Sequence, residues 1–234
     1  MSFEMTNFYE KCDDDTNEAY RYPNEDQIKI KLPMRAVVLG PSGTGKTNLA
    51  VNLIPAIGIW KKIIILAKNL DQPLYHFVTK RIAEIKKEEK IEIELLKIDN
   101  IKDMPPIDSF SPKENTLLIV DDFVADDPKS LIPLNEIWMR GRGKSISPVF
   151  ISQSYYDTPK MIRKNSDYLL VKELGNPLDL SRIAREFAMG CTAKEIAAKY
   201  QKTLDGELTS FFMVDKFNRD PSLKFRNQFA PMKE

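Results

Sequence analysis

The chain of 234 residues is long enough for one large α/β domain with appendages and too short for two domains that each bury a sizeable core. Its 35 basic and 34 acidic side chains almost cancel, so any nucleic-acid-binding surface would have to be a local basic patch. The two cysteines, Cys12 and Cys191, are too few and too far apart for a disulfide framework or a zinc cluster, which favours a reducing, intracellular setting.

Residues 1–32 form a polar, acidic segment with aromatic side chains at Phe8, Tyr9, Tyr20 and Tyr22. We expect an arm that packs either on its own domain or on a neighbouring subunit. The first residues lack the basic and apolar regions of a signal peptide, and no apolar run approaches the ~20 residues needed to span a bilayer. A soluble protein without a membrane partner is therefore expected.

From Pro33 to about residue 215, apolar runs alternate with helix-like stretches, and we assign residues 33–215 to one domain. Five of these runs are continuous, as expected of strands buried on both faces. They cover residues 36–39, 63–67, 117–121, 148–153 and 168–171. Because helical stretches separate them, they predict a parallel sheet with helices on both sides. Residues 91–95 alternate with period 2 and predict an edge strand.

A phosphate-binding pattern, G-x-x-x-x-G-K-S/T, follows the first predicted strand directly. It reads Gly40-Pro41-Ser42-Gly43-Thr44-Gly45-Lys46-Thr47, and Asn48 opens an apolar stretch that predicts a helix. Glycines let the backbone curl around a polyphosphate, so that backbone N–H groups and the helix N-terminus point at the anion. Lys46 would reach the β- and γ-phosphates and Thr47 would hold Mg²⁺. The alternative is an ordinary glycine-rich turn.

Paired carboxylates, Asp121 and Asp122, end the third predicted strand, about seventy residues beyond the phosphate loop. This is typical of a Walker B motif, in which one acid fixes Mg²⁺ and a second orients the attacking water. We assign Asp121 to the metal and Asp122 to the water. Because a regulatory GTPase usually needs only the first acid, the second favours sustained ATP turnover. The alternative is a simple turn after a strand.

Three further polar residues are candidates for the same catalytic site. Gln153 ends the next predicted strand, and carboxyl ends of parallel strands share one edge, so it is predicted to act as a sensor of the γ-phosphate or the water. Arg142 and Arg163 flank that strand and are candidates for an arginine supplied in trans to the transition state. Gln153 could instead be a plain strand end, and either arginine a DNA-backbone contact or a surface ion-pair partner.

The C-terminal part predicts two packed helices, around residues 180–187 and 196–200, joined at Gly190, with a capping box at 192–195. A helix-turn-helix DNA reader is the alternative to a core hairpin there. Residues 209–214 predict a last strand, and residues 216–234 a basic tail.

Taken in order, these segments resemble the DNA-packaging ATPases of eukaryotic DNA viruses, virophages and polinton-type elements, within the FtsK/HerA superfamily of P-loop motors. The resemblance covers roughly residues 33–215 and is carried by residues 34–49, 118–122, 141–147, 152–155 and 162–165. Asp122 stands where many members have glutamate, and Gly143 where the family often has histidine.

The resemblance implies a RecA-like (ASCE) P-loop NTPase, an α/β fold whose mainly parallel sheet has the order 5-1-4-3-2 with helices on both faces. It further implies a ring-shaped homo-oligomer, pentameric or hexameric, that moves double-stranded DNA into capsids and contacts capsid vertex proteins. The setting would be the host cytoplasm, a viral factory or the virion. The sequence thus predicts an ATP-hydrolysing DNA translocase, with a small-molecule kinase or a non-hydrolysing, nucleotide-gated assembly module as alternatives.

Overall fold

A computed structural model describes residues 20–123, 127–187, 191–218 and 220–232. Nine strands of these ranges form one sheet in the order β3-β2-β4-β5-β1-β6-β7-β8-β9. The strands are β1 (Ala36–Leu39), β2 (Lys62–Ala67), β3 (Glu94–Ile98), β4 (Thr116–Asp121), β5 (Ile146–Ser152), β6 (Tyr168–Val171), β7 (Phe212–Asp215), β8 (Phe225–Asn227) and β9 (Ala230–Pro231). Neighbours from β3 to β6 pair in parallel, and β7, β8 and β9 add on antiparallel.

The five predicted strands correspond to β1, β2, β4, β5 and β6, which lie in the predicted order 5-1-4-3-2. Every residue of β1, β4, β5 and β6 is buried, which explains why these strands read as continuous apolar runs. The alternating segment predicted at 91–95 appears as β3, which begins at Glu94 and pairs only with β2 at the sheet edge. The strand predicted at 209–214 appears as β7.

Helices cover both faces of the sheet, as predicted. They are α1 (Glu25–Ile28), α2 (Lys46–Ile57), α3 (Pro73–Glu88), α4 (Ile132–Arg140), α5 (Lys160–Asn165), α6 (Pro177–Phe187), α7 (Ala193–Thr203) and α8 (Pro221–Lys224). One core joins α2 and α3 to one face, and a second joins α4 to α7 to the other. Successive side chains of β1 point alternately into the two cores: Val38 packs in the first core and Val37 in the second.

The helical pair α6 and α7 is a core hairpin. Ile183 of α6 and Ile196 of α7 are fully buried in the second core. The predicted capping box is present, because the Thr192 hydroxyl accepts from the Glu195 amide while the Glu195 carboxylate accepts from the Thr192 amide. The predicted joint at Gly190 lies outside the described residues.

Both predicted appendages join the domain where they are described. Tyr22, Ile28 and Ile30 of the N-terminal segment are buried in the first core, and residues 1–19 lie outside the described part. At the other end the sheet continues past the predicted boundary at residue 215. Arg226, 1% exposed, donates to Asp215 at 2.8 Å and to the Ile28 carbonyl at 3.0 Å, so a residue assigned to a basic tail is a buried ion-pair partner. Arg219, Lys233 and Glu234 lie outside the described residues.

Among the described helices, none combines the length and apolar character needed to cross a membrane.

Candidate active site

The phosphate loop, residues 40–45, connects the carboxyl end of β1 to the first turn of α2. Gly45 precedes α2 with a φ of 83°, which a residue with a side chain rarely adopts. A Cβ at Gly45 would lie 2.9 Å from the Leu208 carbonyl oxygen, so the loop also needs glycine for a close approach. The backbone amides at the start of α2 therefore face a site suited to an anion.

Lys46 is the first residue of α2, and its side chain folds back over the phosphate loop. Its ammonium group donates to the Pro41 carbonyl oxygen at 2.7 Å, and the Thr44 hydroxyl donates to the same oxygen at 2.9 Å. Burial lowers the pKa of Lys46, and the nearby carboxylates of Asp121 and Asp122 partly oppose that effect. A polyphosphate reaching this position would replace a carbonyl partner with a stronger, charged one.

Asp121 ends β4 beside the first turn of α2. Its Oδ2 atom accepts a hydrogen bond from the Thr47 hydroxyl at 3.0 Å and a second from the Tyr75 hydroxyl at 2.7 Å. Tyr75 belongs to α3 and is fully buried, and burial together with the Asp121 charge raises its pKa above the ordinary value. Tyr75 is therefore neutral, and its hydroxyl donates a hydrogen bond to the Asp121 carboxylate.

Asp122 and Gln153 lie at the tips of two neighbouring strands, and both side chains are exposed. Asp122 has a φ of 67°, a left-handed conformation that aspartate tolerates better than most residues. Both residues line one cavity of about 460 Å³ together with the phosphate loop. Its walls comprise Ser42, Gly43, Gly45, Lys46, Thr47, Asn48, Gln72, Asp121, Asp122, Ile151, Ser152, Gln153 and Leu208. The structure thus brings the phosphate loop, the paired acids and the predicted sensor together.

The structure does not bring Arg142 or Arg163 to this cavity within one copy of the chain. Arg142 lies ahead of β5, at the amino edge of the sheet, where it donates to both oxygens of Asp167 at 3.3 Å. Its side chain is 59% exposed. Arg163 donates to the Tyr155 carbonyl at 3.1 Å and lies 4.8 Å from the Tyr155 ring centre.

Sequence reasoning assigned no role in this site to Gln72, Tyr75 and Leu208, nor to Ile151 and Ser152 of the predicted strand 148–153. Gln72 follows the carboxyl end of β2, so the edge argument used for Gln153 could have found it. Tyr75 sits two residues inside a helix and Leu208 in a loop some 160 residues after the phosphate loop. Neither carries a local signal, because only the packing of distant segments defines their positions.

Comparisons with known proteins found a matching family model and similar solved structures. A family model described as Poxvirus A32 protein matches residues 24–202. No curated protein sequence matches the chain.

Among solved structures, the genome packaging NTPase B204 of Sulfolobus turreted icosahedral virus 2 in complex with ATP-gammaS has a TM-score of 0.55 at 17% identity, over 86% of this chain and 100% of that one. Its complex with sulfate has a TM-score of 0.56 at 16% identity, over 86% and 98%. The DNA-packaging ATPase B204 of Sulfolobus Turreted Icosahedral Virus has a TM-score of 0.53 at 16% identity, over 86% and 98%. At these identities the likeness establishes a shared P-loop NTPase fold.

Proposed function

Because the chain belongs to the Poxvirus A32 protein family, we propose that it is an ATP-hydrolysing translocase of double-stranded DNA that packages a viral genome into a capsid. The observation that carries the proposal is the convergence of the phosphate loop, the Thr47–Asp121 contact at 3.0 Å, Asp122 and Gln153 on one cavity. A site that only bound nucleotide would not need a second acid and a polar sensor at the strand tips.

The donor set at Thr47 and Asp121 fits Mg²⁺. A hydroxyl oxygen and a carboxylate oxygen converge there, and hard oxygen ligands are those that Mg²⁺ prefers, with phosphate oxygens and water completing the shell. Thr47 and Asp121 would hold the ion, which when bound neutralises charge on the β- and γ-phosphates. The Tyr75 hydroxyl fixes the orientation of the Asp121 carboxylate for that purpose.

The remaining residues of the cavity act on the nucleotide and on water. Backbone N–H groups of residues 42–48 bind the phosphates, and Lys46 exchanges the Pro41 carbonyl for phosphate oxygens. Asp122, exposed at the cavity, orients the attacking water and takes its proton. Gln153 donates to the γ-phosphate or to that water. Together these groups transfer the γ-phosphoryl of ATP to water, giving ADP and phosphate.

An arginine from a neighbouring copy completes the site in this proposal, because neither arginine candidate reaches the cavity of its own chain. Arg142 is favoured over Arg163, since its side chain is 59% exposed although it pairs with Asp167, whereas the guanidinium of Arg163 is held by the carbonyl and ring of Tyr155. Two large apolar side chains on α4, the helix that leads to Arg142, support a contact between copies: Ile132 is 60% and Met139 53% exposed. The assembly would be a closed ring of five or six copies, acting with capsid vertex proteins in the infected cell or the virion.

The test is ATP hydrolysis by the purified protein with and without double-stranded DNA. A packaging motor is expected to be stimulated by DNA. If DNA does not change the rate of ATP consumption but a small-molecule phosphate acceptor increases it, the protein is a kinase. If ATP binds without being hydrolysed, the protein is a nucleotide-gated assembly module. Either result would overturn the translocase proposal.

The Asp122→Asn variant tests the hydrolytic step. Asparagine keeps the shape and accepts the left-handed φ of 67°, so folding and ATP affinity should stay near the parent values, while hydrolysis falls by at least about 100-fold because the base is gone. ATP binding by calorimetry and phosphate release measure the two effects. Asp99→Asn, an exposed acid after β3, is the matched control. Near-normal phosphate release from Asp122→Asn would remove this residue from the chemistry.

A further inference from the structure

A groove of about 870 Å³ lies between α2 and α3, on the face of the sheet that carries the first core. Most of its lining is apolar, and part of that lining is open to solvent, since Phe77 of α3 is 63% and Ile91 39% exposed. Ile54, Leu74 and Ile93 are half-buried at its walls. We call this space the α2–α3 groove. An apolar groove of this size is typical of a surface on which another segment packs.

The α2–α3 groove runs along the whole of α2. Asn48, in the first turn of α2, lines one end, and Gly58 and Lys61, which follow the last turn, line the other. Because a helix rises about 1.5 Å per residue, the twelve residues of α2 make the groove about 18 Å long. A second helix of eight residues, about 12 Å long, would fit within it.

The described chain begins beside the Gly58 end of this groove. The Asn24 side-chain amide donates to the Ala56 carbonyl oxygen, in the last turn of α2, at 2.9 Å. Residues 13–23 precede that contact, and an extended chain of this length spans about 36 Å. Residues 5–12 therefore reach every part of the groove of their own chain. A segment tethered this closely acts at an effective concentration on the order of millimolar, which favours it over a segment of a separate copy.

Residues 5–12 have the sequence pattern of a short amphipathic helix. Four apolar side chains recur at the spacing i, i+3, i+4 and i+7, which places them on one side of a helix. They are Met5, Phe8, Tyr9 and Cys12. Asn7 and Glu10 would lie on the opposite side. A helix this short is not stable alone in water, so it needs an apolar surface against which to pack.

The charges of the two parts are complementary where the chain enters the groove. Residues 1–19 contain six acidic side chains and one lysine, and three of the acids, at 13–15, stand between the apolar stripe and the entry point. Lys61 and Arg81 line the groove together with Glu89, and Lys61 lies at the end where the chain enters. Exposed pairs of this kind contribute little energy, so they favour one direction of the segment while the apolar contact holds it.

We propose that residues 5–12 form a helix that packs in the α2–α3 groove of the same chain, with the stripe of Met5, Phe8, Tyr9 and Cys12 facing the groove. The packed segment contacts both α2, which carries Thr47, and α3, which carries Tyr75. It thereby holds together the two helices whose hydroxyl groups contact Asp121. The inference is independent of the proposed function, because it involves no nucleotide and no DNA.

Lys11 provides a direct probe of this contact. It is the only lysine or arginine among residues 1–20, so trypsin can cleave that segment only after Lys11. Cleavage requires the segment to leave the groove, and its rate therefore follows the population of the open form. The rate is measured by mass spectrometry on the whole chain of 234 residues, at two protein concentrations a hundredfold apart.

Two aspartate substitutions break the contact from its two sides, Phe8→Asp in the segment and Phe77→Asp in the groove. Each is expected to speed cleavage after Lys11 at least about tenfold, because a charged side chain replaces a buried aromatic one. The double variant should be cleaved no faster than the single ones, because both changes break the same contact. Phe3→Asp, outside the stripe, and Phe217→Asp, at a phenylalanine that is 67% exposed after β7, are the matched controls and should behave as the parent.

Three results would overturn the proposal. They are a parent chain that is cleaved after Lys11 as fast as Phe8→Asp, an unchanged rate in Phe77→Asp, and protection that grows with protein concentration. The last result would place the segment in the groove of a neighbouring copy. If Phe77→Asp is also cleaved faster within the described domain, its fold is lost, and the comparison of Phe8→Asp with Phe3→Asp decides the question alone.

Discussion

A single carboxylate oxygen, Oδ2 of Asp121, accepts hydrogen bonds from two hydroxyl groups, Thr47 and Tyr75. Hydrogen bonds to a charged acceptor are stronger than neutral ones, and a buried donor such as Tyr75 has little freedom to turn away. The carboxylate is therefore held in one orientation before any ligand arrives. This is the arrangement expected of a group that must present an oxygen to a metal ion with demanding geometry.

Tyr75→Phe is expected to raise the Mg²⁺ concentration for half-maximal ATP hydrolysis severalfold, because the Asp121 carboxylate loses a partner that holds its orientation. A Mg²⁺ titration at saturating ATP measures the shift, and binding of nucleotide without metal should change little. Tyr168→Phe is the control, since Tyr168 is also buried but its hydroxyl accepts from the Lys31 amide at the opposite edge of the sheet. If both variants need the same increase in Mg²⁺ concentration, Tyr75 contributes to the stability of the fold and not to the metal site.

At the scale of elements, Lys216 joins the end of β7 to the last turn of α5. Its ammonium donates to the Arg163 carbonyl at 2.9 Å and lies 5.1 Å from the centre of the Phe187 ring. Burial lowers its pKa to about 8, although Asp167 and Glu186 oppose the effect, and the charges of Arg35 and Arg163 add to it. A residue that reads in sequence as the start of a basic tail is thus a partly buried cation whose ammonium donates to carbonyl groups in the last turn of α5.

The sign of the resulting pH dependence follows from proton binding. Between the folded pKa of about 8 and the ordinary value of 10.5, the unfolded chain binds more protons, so the free energy of unfolding should rise with pH. We expect a gain on the order of 1 kcal/mol from pH 7.5 to 9.5 in the parent. Urea denaturation at both pH values measures it, and Lys216→Met should lose the gain whereas Lys202→Met, an exposed lysine on α7, should keep it. Parallel behaviour of the two variants would contradict the assignment to Lys216.

On the scale of the whole molecule, the two halves of the proposed catalytic machinery lie at opposite edges of the sheet. The phosphate loop and the acids lie at the carboxyl ends of the parallel strands, and Arg142 lies before β5 at the amino ends, paired with Asp167. No hinge within one sheet can close that separation, because the strands between are fully buried and paired on both sides. An arginine in trans therefore requires a second copy.

Mixing two inactive variants tests this requirement. Lys46→Ala lacks the phosphate contact and Arg142→Ala lacks the arginine, and each alone should hydrolyse ATP at least about 1,000-fold more slowly than the parent. Mixed together they should recover measurable ATPase activity, because some interfaces then combine an intact loop with an intact arginine. Arg81→Ala, which changes an exposed arginine on α3, should behave as the parent. An Arg142→Ala protein that is fully active, or that is strictly monomeric and active, would exclude the trans role.

The architecture around the phosphate loop is predictable from the amino-acid pattern alone. The apolar runs at β1, β2, β4, β5 and β6, which helical stretches separate, predicted the parallel sheet and the edge on which Lys46, Asp121 and Gln153 meet. The resemblance to viral packaging ATPases is confirmed, since the chain belongs to the Poxvirus A32 protein family and shares the fold of a viral genome packaging NTPase. The apolar runs and the phosphate-loop pattern are local signals, because each consists of consecutive residues in the chain.

Which distant residues complete the site depends on how the elements pack in three dimensions. Three hydrogen bonds join residues that are far apart in the sequence. Tyr75 donates to Asp121, 46 residues later, and Lys172 donates to the Leu208 carbonyl, 36 residues later. Arg226 donates to the Ile28 carbonyl, 198 residues earlier. None of these contacts has a spacing that periodicity can reveal, because each depends on how complete elements pack rather than on the residues beside it in the chain. The same packing places Arg142 at the amino edge, so a motif that is continuous in sequence is divided between the two edges of the sheet.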